Sequence, residues 1–203
     1  FDVNNSNNAS QYALGKNAPT QFYAGQLYFR QNTFNFNTSK DFGKSMNLKT
    51  FNIGWGGEIR WEKYKINAGE EASWKNYDPA SGKAGGAQVF PGFQPSAAVD
   101  KDRAVGAAYV DVESDVNDQF MFNVAGRFER YSDFGNNFAG KLAARYKVND
   151  LITLRGAISN GFRAPSLHQR LFSSVATLFQ TINNQLVPTQ NLTGWRGNYT
   201  FYP

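Results

Sequence analysis

The 203-residue sequence has no cysteine, a single histidine, only two methionines, and no apolar run approaching the ~20 residues that a membrane-spanning helix requires. Without cysteine there is neither a disulfide framework nor a thiolate zinc site, which is compatible with an extracytoplasmic protein. With His168 as the only histidine, a His-based metal triad or a relay needing a second histidine is excluded, and a structural or loop-surface role is favoured. The missing apolar run leaves two classes: a soluble fold, or a barrel whose strands alternate lipid and lumen faces. A mean hydropathy of −0.53 excludes only the helical membrane class. The chain opens Phe1-Asp2-Val3-Asn4-Asn5, without the basic and apolar regions of a secretory signal, so the expectation is a mature N-terminus or an internal piece. The net charge is +5, but Lys and Arg are scattered rather than clustered, and nucleic acid is not an expected partner.

What the sequence does have is aromatic alternation. Eighteen Phe, ten Tyr and four Trp, in a chain that is 41% hydrophobic, argue against disorder and favour strands over helices. The clearest strand runs from Leu48 to Ile66. Phe51, Ile53, Trp55, Gly57, Ile59 and Trp61 form an apolar face; Asn52, Gly54, Gly56, Glu58, Arg60 and Glu62 form a polar one. At ~3.3 Å per residue this strand is about 60 Å long, more than a ~25 Å apolar band needs, so it is expected to project beyond a membrane. Tyr64 and Ile66 fall out of phase with Trp61, which predicts a bulge near Glu62-Lys63. Between Gln21 and Phe42, Leu27 and Phe29 occupy odd positions and Phe34 and Phe36 even ones, predicting one long strand with a bulge. Gly43-Lys44-Ser45-Met46-Asn47 then turns the chain.

Residues 1–20 read as loop, and residues 70–102 are a second, long one, without period and punctuated by Asp78-Pro79, Ser81-Gly82, Gly85-Gly86, Pro91-Gly92 and Pro95. Strands follow at 104–113, 119–131, 138–148 and 151–160. Phe120, Phe122, Val124, Gly126 and Phe128 oppose Asn123, Ala125, Arg127 and Glu129; Leu142, Ala144, Tyr146 and Val148 oppose Lys141, Ala143, Arg145 and Lys147. In a membrane barrel the aromatic side faces lipid, whereas in a soluble sandwich it is simply core. Alternation alone does not choose between them. Connection lengths favour the barrel: short at 43–47, 114–118 and 149–150, long at 70–102 and after 162, with 132–137 the exception. The expected fold is all-β, an up-and-down antiparallel transmembrane β-barrel. Residues 1–203 would supply six or seven strands of a larger one, because an open edge would leave unpaired backbone groups in hydrocarbon.

The segment Leu154–Leu167 ends a strand abruptly, as Gly161 permits a kink and Pro165 removes a ladder donor. Its second half, Gly161-Phe162-Arg163-Ala164-Pro165-Ser166-Leu167, closely resembles a recurring motif in the barrel domain of TonB-dependent outer-membrane receptors. Ser39-Lys40-Asp41-Phe42, Gly57-Glu58-Ile59-Arg60-Trp61 with Ala68-Gly69-Glu70-Glu71, Gln88-Val89-Phe90-Pro91-Gly92-Phe93, and Tyr131-Ser132-Asp133-Phe134-Gly135 resemble the same family in the same order, across roughly residues 33–172. Residues 1–20 and 180–203 match none of its motifs. The resemblance implies a parent barrel of about 22 strands with a plug folded inside, set in outer-membrane lipid of a Gram-negative bacterium. The plug and the closing strands are expected to lie outside these residues. It also implies capture and import of a scarce nutrient, such as a ferric siderophore, haem, cobalamin or a glycan. Energy would come from the TonB–ExbB–ExbD complex, pairing with a plug-side segment by strand addition. A surface lipoprotein would be a further partner. Residues 70–102 and 163–191 would be outer loops of the ligand vestibule, and Glu58, Arg60, Arg127, Glu129, Lys141 and Arg145 would face the lumen and hold the plug. The alternatives are a soluble all-β glycan- or ligand-binding module and a plug-less porin-like channel.

No catalytic residue, cofactor or metal site is expected. Glu70-Glu71 and Asp111/Glu113 read as a solvated loop edge and lumen lining rather than the paired acids of glycoside hydrolysis. Gly54-Trp55-Gly56-Gly57 is no phosphate loop, since no helix follows; it reads as small residues packed closely against lumen contents. Trp74, Phe90 and Phe93 could grip a ligand, but packing of the loop on itself is favoured. Asn-x-Ser/Thr at Asn4, Asn8, Asn37, Asn191 and Asn198 is chance in so Asn-rich a chain. No residue is assigned to substrate, and nothing selects the nutrient.

Overall fold

A computed structural model of the chain describes residues 14–81, 85–87, 91–182 and 185–194. They divide into two compact units, one within residues 31–62 and 103–164, the other within 1–30, 63–102 and 165–203. Strands β1 (Gln26–Asp41), β2 (Asn52–Asn67), β3 (Val99–Asp115), β4 (Phe120–Tyr131), β5 (Gly135–Lys147) and β6 (Thr153–Ser159) form one sheet in chain order. From β3 to β6 the neighbours are antiparallel, in the register Val112↔Val124↔Leu142↔Ile158. This is the expected all-β meander. β7 (Ser173–Ile182) and β8 (Gln185–Gly194) pair with each other as a second, two-stranded sheet.

The predicted loop at 163–191 is therefore structured: a helical turn at Leu167–Leu171 precedes a hairpin. Periodicity hid the hairpin, because both phases of 175–180 mix apolar and polar residues and Pro188 lies inside β8. The long loop, predicted over 70–102, occupies 68–98, since β3 starts at Val99; helical turns at Glu71–Trp74, Pro79–Ser81 and Pro95–Ala97 punctuate it.

The sheet unit exposes large apolar side chains on one phase of its strands: Ile59 and Trp61 on β2, Val110 on β3, Val124 and Phe128 on β4, Phe138 and Leu142 on β5, Ile158 on β6. Phe128 pairs across strands with Phe138, and Leu142 with Ile158. Half-exposed aromatics in register over several strands do not form a water-facing surface by accident. At the opposite strand ends the connections are short and tied. Asp41 Oδ1 accepts the Gly43 and Phe51 N–H groups at 2.8 and 3.1 Å, and Asn47 closes the Gly43–Met46 turn in the left-handed region, φ 55°.

In the 116–119 turn, Asp118 Oδ1 accepts from Lys49 Nζ at 2.7 Å, and this bond holds the Asp118 carboxyl below its ordinary value. The contact should contribute stability above the unfolded carboxylate value of about 3.9 and lose it as pH falls through the lower folded value. Both groups are exposed, so the effect is small. Comparing the pH dependence of unfolding in the parent and Asp118→Asn checks it: the difference should be present at pH 7 and vanish in strong acid.

The second unit has its own apolar core of Tyr64, Ile66, Phe93, Ala97 and Leu167, with Val99, Leu171 and Phe172 against it. Tyr64 and Ile66 are even-numbered, like Glu58, Arg60 and Glu62, and the outward Trp55, Ile59 and Trp61 are odd. The expected bulge near Glu62-Lys63 is therefore not needed: the phase runs unbroken, and the apolar side chains change face because that face meets a packed cluster. Fully buried Ser73 organises the loop. Its N–H and hydroxyl donate to the Glu70 carbonyl at 2.9 and 2.6 Å, and its own carbonyl accepts from Ala87 and Gly92 N–H at 2.9 and 2.7 Å. Phe93 N–H donates to the Ala24 carbonyl, and Trp74 Nε1 to the Gly69 carbonyl at 3.2 Å.

Candidate functional site

The face of the sheet unit opposite the exposed aromatics carries its charge. A strand with period two puts Glu58, Arg60 and Glu62 of β2, Arg103 and Tyr109 of β3, and Arg127, Glu129 and Tyr131 of β4 on one side, and the structure joins the six charged residues among them into one chain of ion pairs. Arg127 Nη2 donates to Glu58 Oε2 at 3.1 Å, and its Nε to Glu129 Oε1 at 2.8 Å. The Tyr131 hydroxyl donates to Glu129 Oε2 at 2.8 Å. Arg60 pairs with Glu58 at 3.2 Å and with Glu62 at 3.0 Å. Glu62 in turn lies 3.5 Å from Arg103. Alternating signs keep each half-buried charge compensated by a neighbour. The Arg127 guanidinium also stacks over the Tyr109 ring, 5.8 Å from its centre.

The network ends in a box built from the motif residues. Arg103 is 2% exposed and donates to both oxygens of Asp133, at 2.8 to 3.0 Å, in a bidentate pair. Its guanidinium lies 5.4 Å from the Phe134 ring and 5.9 Å from the Tyr131 ring. Those two rings stack at 4.3 Å, and Phe162 closes on Phe134 at 5.7 Å. Tyr131-Ser132-Asp133-Phe134-Gly135 and Gly161-Phe162, far apart in sequence, thus meet around one buried cation. Gly135, at φ 92°, allows the tight turn between β4 and β5 that carries Asp133 and Phe134.

Beyond the ion pairs the same face is shallow and lined by alanine. One recess of about 400 Å3 is bordered by Tyr109, Asp111, Arg127, Lys141 and Asn160. Another of about 290 Å3 is bordered by Met121, Asn123, Ala143, Arg145 and Arg155. Asp111 accepts from Asn123 Nδ2 at 3.1 Å, and Asp115 from Arg145 at 3.2 Å.

Of the six residues expected to line a lumen, Glu58, Arg60, Arg127 and Glu129 belong to the one network, Lys141 borders the larger recess, and Arg145 is tied to Asp115. Sequence reasoning missed Glu62 as a hinge of the network, and missed Arg103 altogether, because β3 was expected to start only at 104; the odd phase that Arg103 shares with Tyr109 was the available signal. Within the glycine run, Gly56 lies close against a neighbouring strand: a β-carbon there would strike the Tyr109 ring. Phe93 and Trp74 serve the packing of the loop on itself, as favoured, and Phe90 lies outside the described residues. Glu70 caps Tyr23 N–H at 3.1 Å and Glu71 pairs with Lys75, while Asp111 is spent on Asn123. His168 Nδ1 sits 2.9 Å from the Ser166 hydroxyl at the capped start of a helical turn.

Comparison with known proteins agrees with this architecture. A family model described as "TonB dependent receptor-like, beta-barrel" matches residues 1–200, so the ends that carried no recognisable motif lie within it as well. The "Iron-regulated outer membrane virulence protein" of Vibrio cholerae serotype O1 is 29% identical over 63 residues, 31% of this chain and 10% of that protein. The "Probable TonB-dependent siderophore receptor PirA" of Acinetobacter baumannii is 29% identical over 65 residues, 32% of this chain and 9% of that one. The matched stretch is thus about a tenth of the length of these relatives. The crystal structure of the siderophore receptor PirA from Acinetobacter baumannii aligns with 80% of this chain and 22% of its own, at 20% identity and a TM-score of 0.48. With an aromatic face in register, a charged face opposite it and a family match across almost its whole length, the chain belongs to the β-barrel family of TonB-dependent receptors of the Gram-negative outer membrane.

Proposed function

We propose that this chain forms part of the wall of an outer-membrane transporter that binds a scarce nutrient and imports it with energy from the TonB–ExbB–ExbD complex. The observation that carries the reading is the charged face. In a closed barrel it would line the lumen, where the ion-pair chain through Glu58, Arg60, Arg127 and Glu129 and the recesses beside Lys141 and Arg145 would face a plug domain. Among ferric siderophores, haem, cobalamin and glycans, the similarity to an iron-regulated outer-membrane protein and to a probable siderophore receptor favours a ferric siderophore. The connection at 68–98 and the segment after β6 lie at the strand ends that would form the outer vestibule, where a surface lipoprotein would also dock.

Uptake of siderophore-bound iron by cells producing the intact protein, with and without TonB, tests the transport reading. Uptake that disappears without TonB is expected; uptake indifferent to TonB would favour the plug-less channel instead. The plug contact has its own test. Arg127→Glu sets a third carboxylate beside Glu58 and Glu129, and the plug should then be released at a clearly lower urea concentration while the barrel still migrates as folded. Unchanged plug retention would count against the lumen assignment.

A further inference from the structure

The aromatic face of the sheet unit has a gap in it. Gly126 and Gly140 are direct cross-strand partners on that face, and over Gly126 opens a hollow of about 490 Å3 walled by Val110, Val112, Val124, Phe128 and Phe138. Backbone packing does not require the glycine: a β-carbon on Gly126 would meet the Phe138 ring at 3.5 Å, an ordinary contact. The hollow is therefore space that a larger side chain could have filled. On a face turned to hydrocarbon, such space is occupied by the solvent of that face, an acyl chain, which gains dispersion contacts on three sides.

The apolar phase of β4 stops two residues beyond Phe128, at Arg130. Its cross-strand partners, Gly106 and Asn136, leave its surroundings open. Arg130 is exposed and has no ion-pair partner among the described residues. It lies four residues from Gly126, about 13 Å along the strand. It is also at the strand end that carries the long connections, the outer end in barrels of this kind. An exposed guanidinium there can meet a phosphate in bidentate fashion.

We propose that Arg130 and the hollow over Gly126 form a site for one outer-leaflet lipid bearing a phosphate on its headgroup and several acyl chains, that is, the phosphorylated glycolipid lipid A. The phosphate sits on Arg130, with the Asn136 amide beside it. One acyl chain runs past Phe128 into the hollow, and Phe138 forms its far wall. The site lies on the face opposite the lumen, so it is independent of the nutrient and of TonB.

The test uses the intact outer-membrane protein, extracted in mild detergent, stripped of lipid and titrated with bisphosphorylated lipid A, with its dephosphorylated form and with phosphatidylglycerol, binding being counted by native mass spectrometry. One lipid A per barrel is expected to bind above the background of boundary lipid. Arg130→Gln and Gly126→Leu should each weaken it at least tenfold, the second by filling the hollow without touching the phosphate site, while Arg130→Lys retains most of the affinity. Folded state is read from heat-modifiable migration; should Gly126→Leu fail to fold, the exposed Arg130→Gln decides. Equal binding of lipid A by the parent and Arg130→Gln, or equal binding of the phosphorylated and dephosphorylated forms, would overturn the proposal. Phosphatidylglycerol binding as tightly as lipid A would overturn the choice of glycolipid.

Discussion

Alanine at Arg103 is expected to destabilise the folded wall by about 3–5 kcal/mol, because it removes one partner of a buried ion pair and leaves the other behind. Arg103 is 2% exposed and gives Asp133 three donor contacts of 2.8 to 3.0 Å. Without it Asp133 loses this bidentate cation, Glu62 keeps Arg60 of its two arginines among the described residues, and the rings of Tyr131 and Phe134 lose the guanidinium beside them. The urea concentration at which the heat-modifiable form disappears measures the loss. Arg103→Met restores volume but not charge and should be nearly as damaging. Combining it with Asp133→Leu should recover part of the loss, since removing both charges is cheaper than stranding one. A midpoint for Arg103→Ala no lower than that for the exposed Arg145→Ala would show that the box does not hold the wall together.

A comparable local loss is expected from Gly92→Val in the second unit. A β-carbon at Gly92 would fall on the Ser73 side chain, with Ser73 Cβ only 2.7 Å away and Ala24 Cα at 3.2 Å. Ser73 cannot step aside: it is fully buried, and its N–H, hydroxyl and carbonyl are all engaged with Glu70, Ala87 and Gly92. Overpacking of this kind costs about 1–3 kcal/mol, and forfeiting the Gly92 N–H to Ser73 carbonyl bond adds roughly 1 kcal/mol. The loop at 68–98 should become sensitive to limited proteolysis while the barrel remains heat-modifiable, because a segment with its own small core opens as its own unit. Ser73→Ala, which gives up one hydrogen bond without adding bulk, should loosen the loop by only about 1 kcal/mol. Equal protease resistance of Gly92→Val and the parent would mean that Ser73 is not the loop's anchor.

Much of the sheet was legible because period two is a local property of the chain. The strand predicted over 119–131 appears at Phe120–Tyr131, and the Phe122, Val124, Phe128 phase is the exposed apolar one. The short connections were legible as breaks in that alternation, as was the shared face of Glu58, Arg60, Arg127 and Glu129. Arg103 was not legible, since its value depends on Asp133, thirty residues away across a strand pair. Nor was the continuity of β2 through Tyr64 and Ile66, where apolar residues on the polar phase reflect what packs over them rather than a slipped register.

The sequence by itself determined the all-β class, the two-faced strands, the motifs that mark the family and the exclusion of thiol chemistry and of any site needing two histidines, because composition and alternation follow from the chain alone. Only the tertiary structure decided which charges neutralise which, why the loop at 68–98 folds around Ser73, and that the aromatic face carries a hollow beneath Arg130. Those depend on which residues the strand register sets side by side, and register is a property of pairs of strands that no single strand contains.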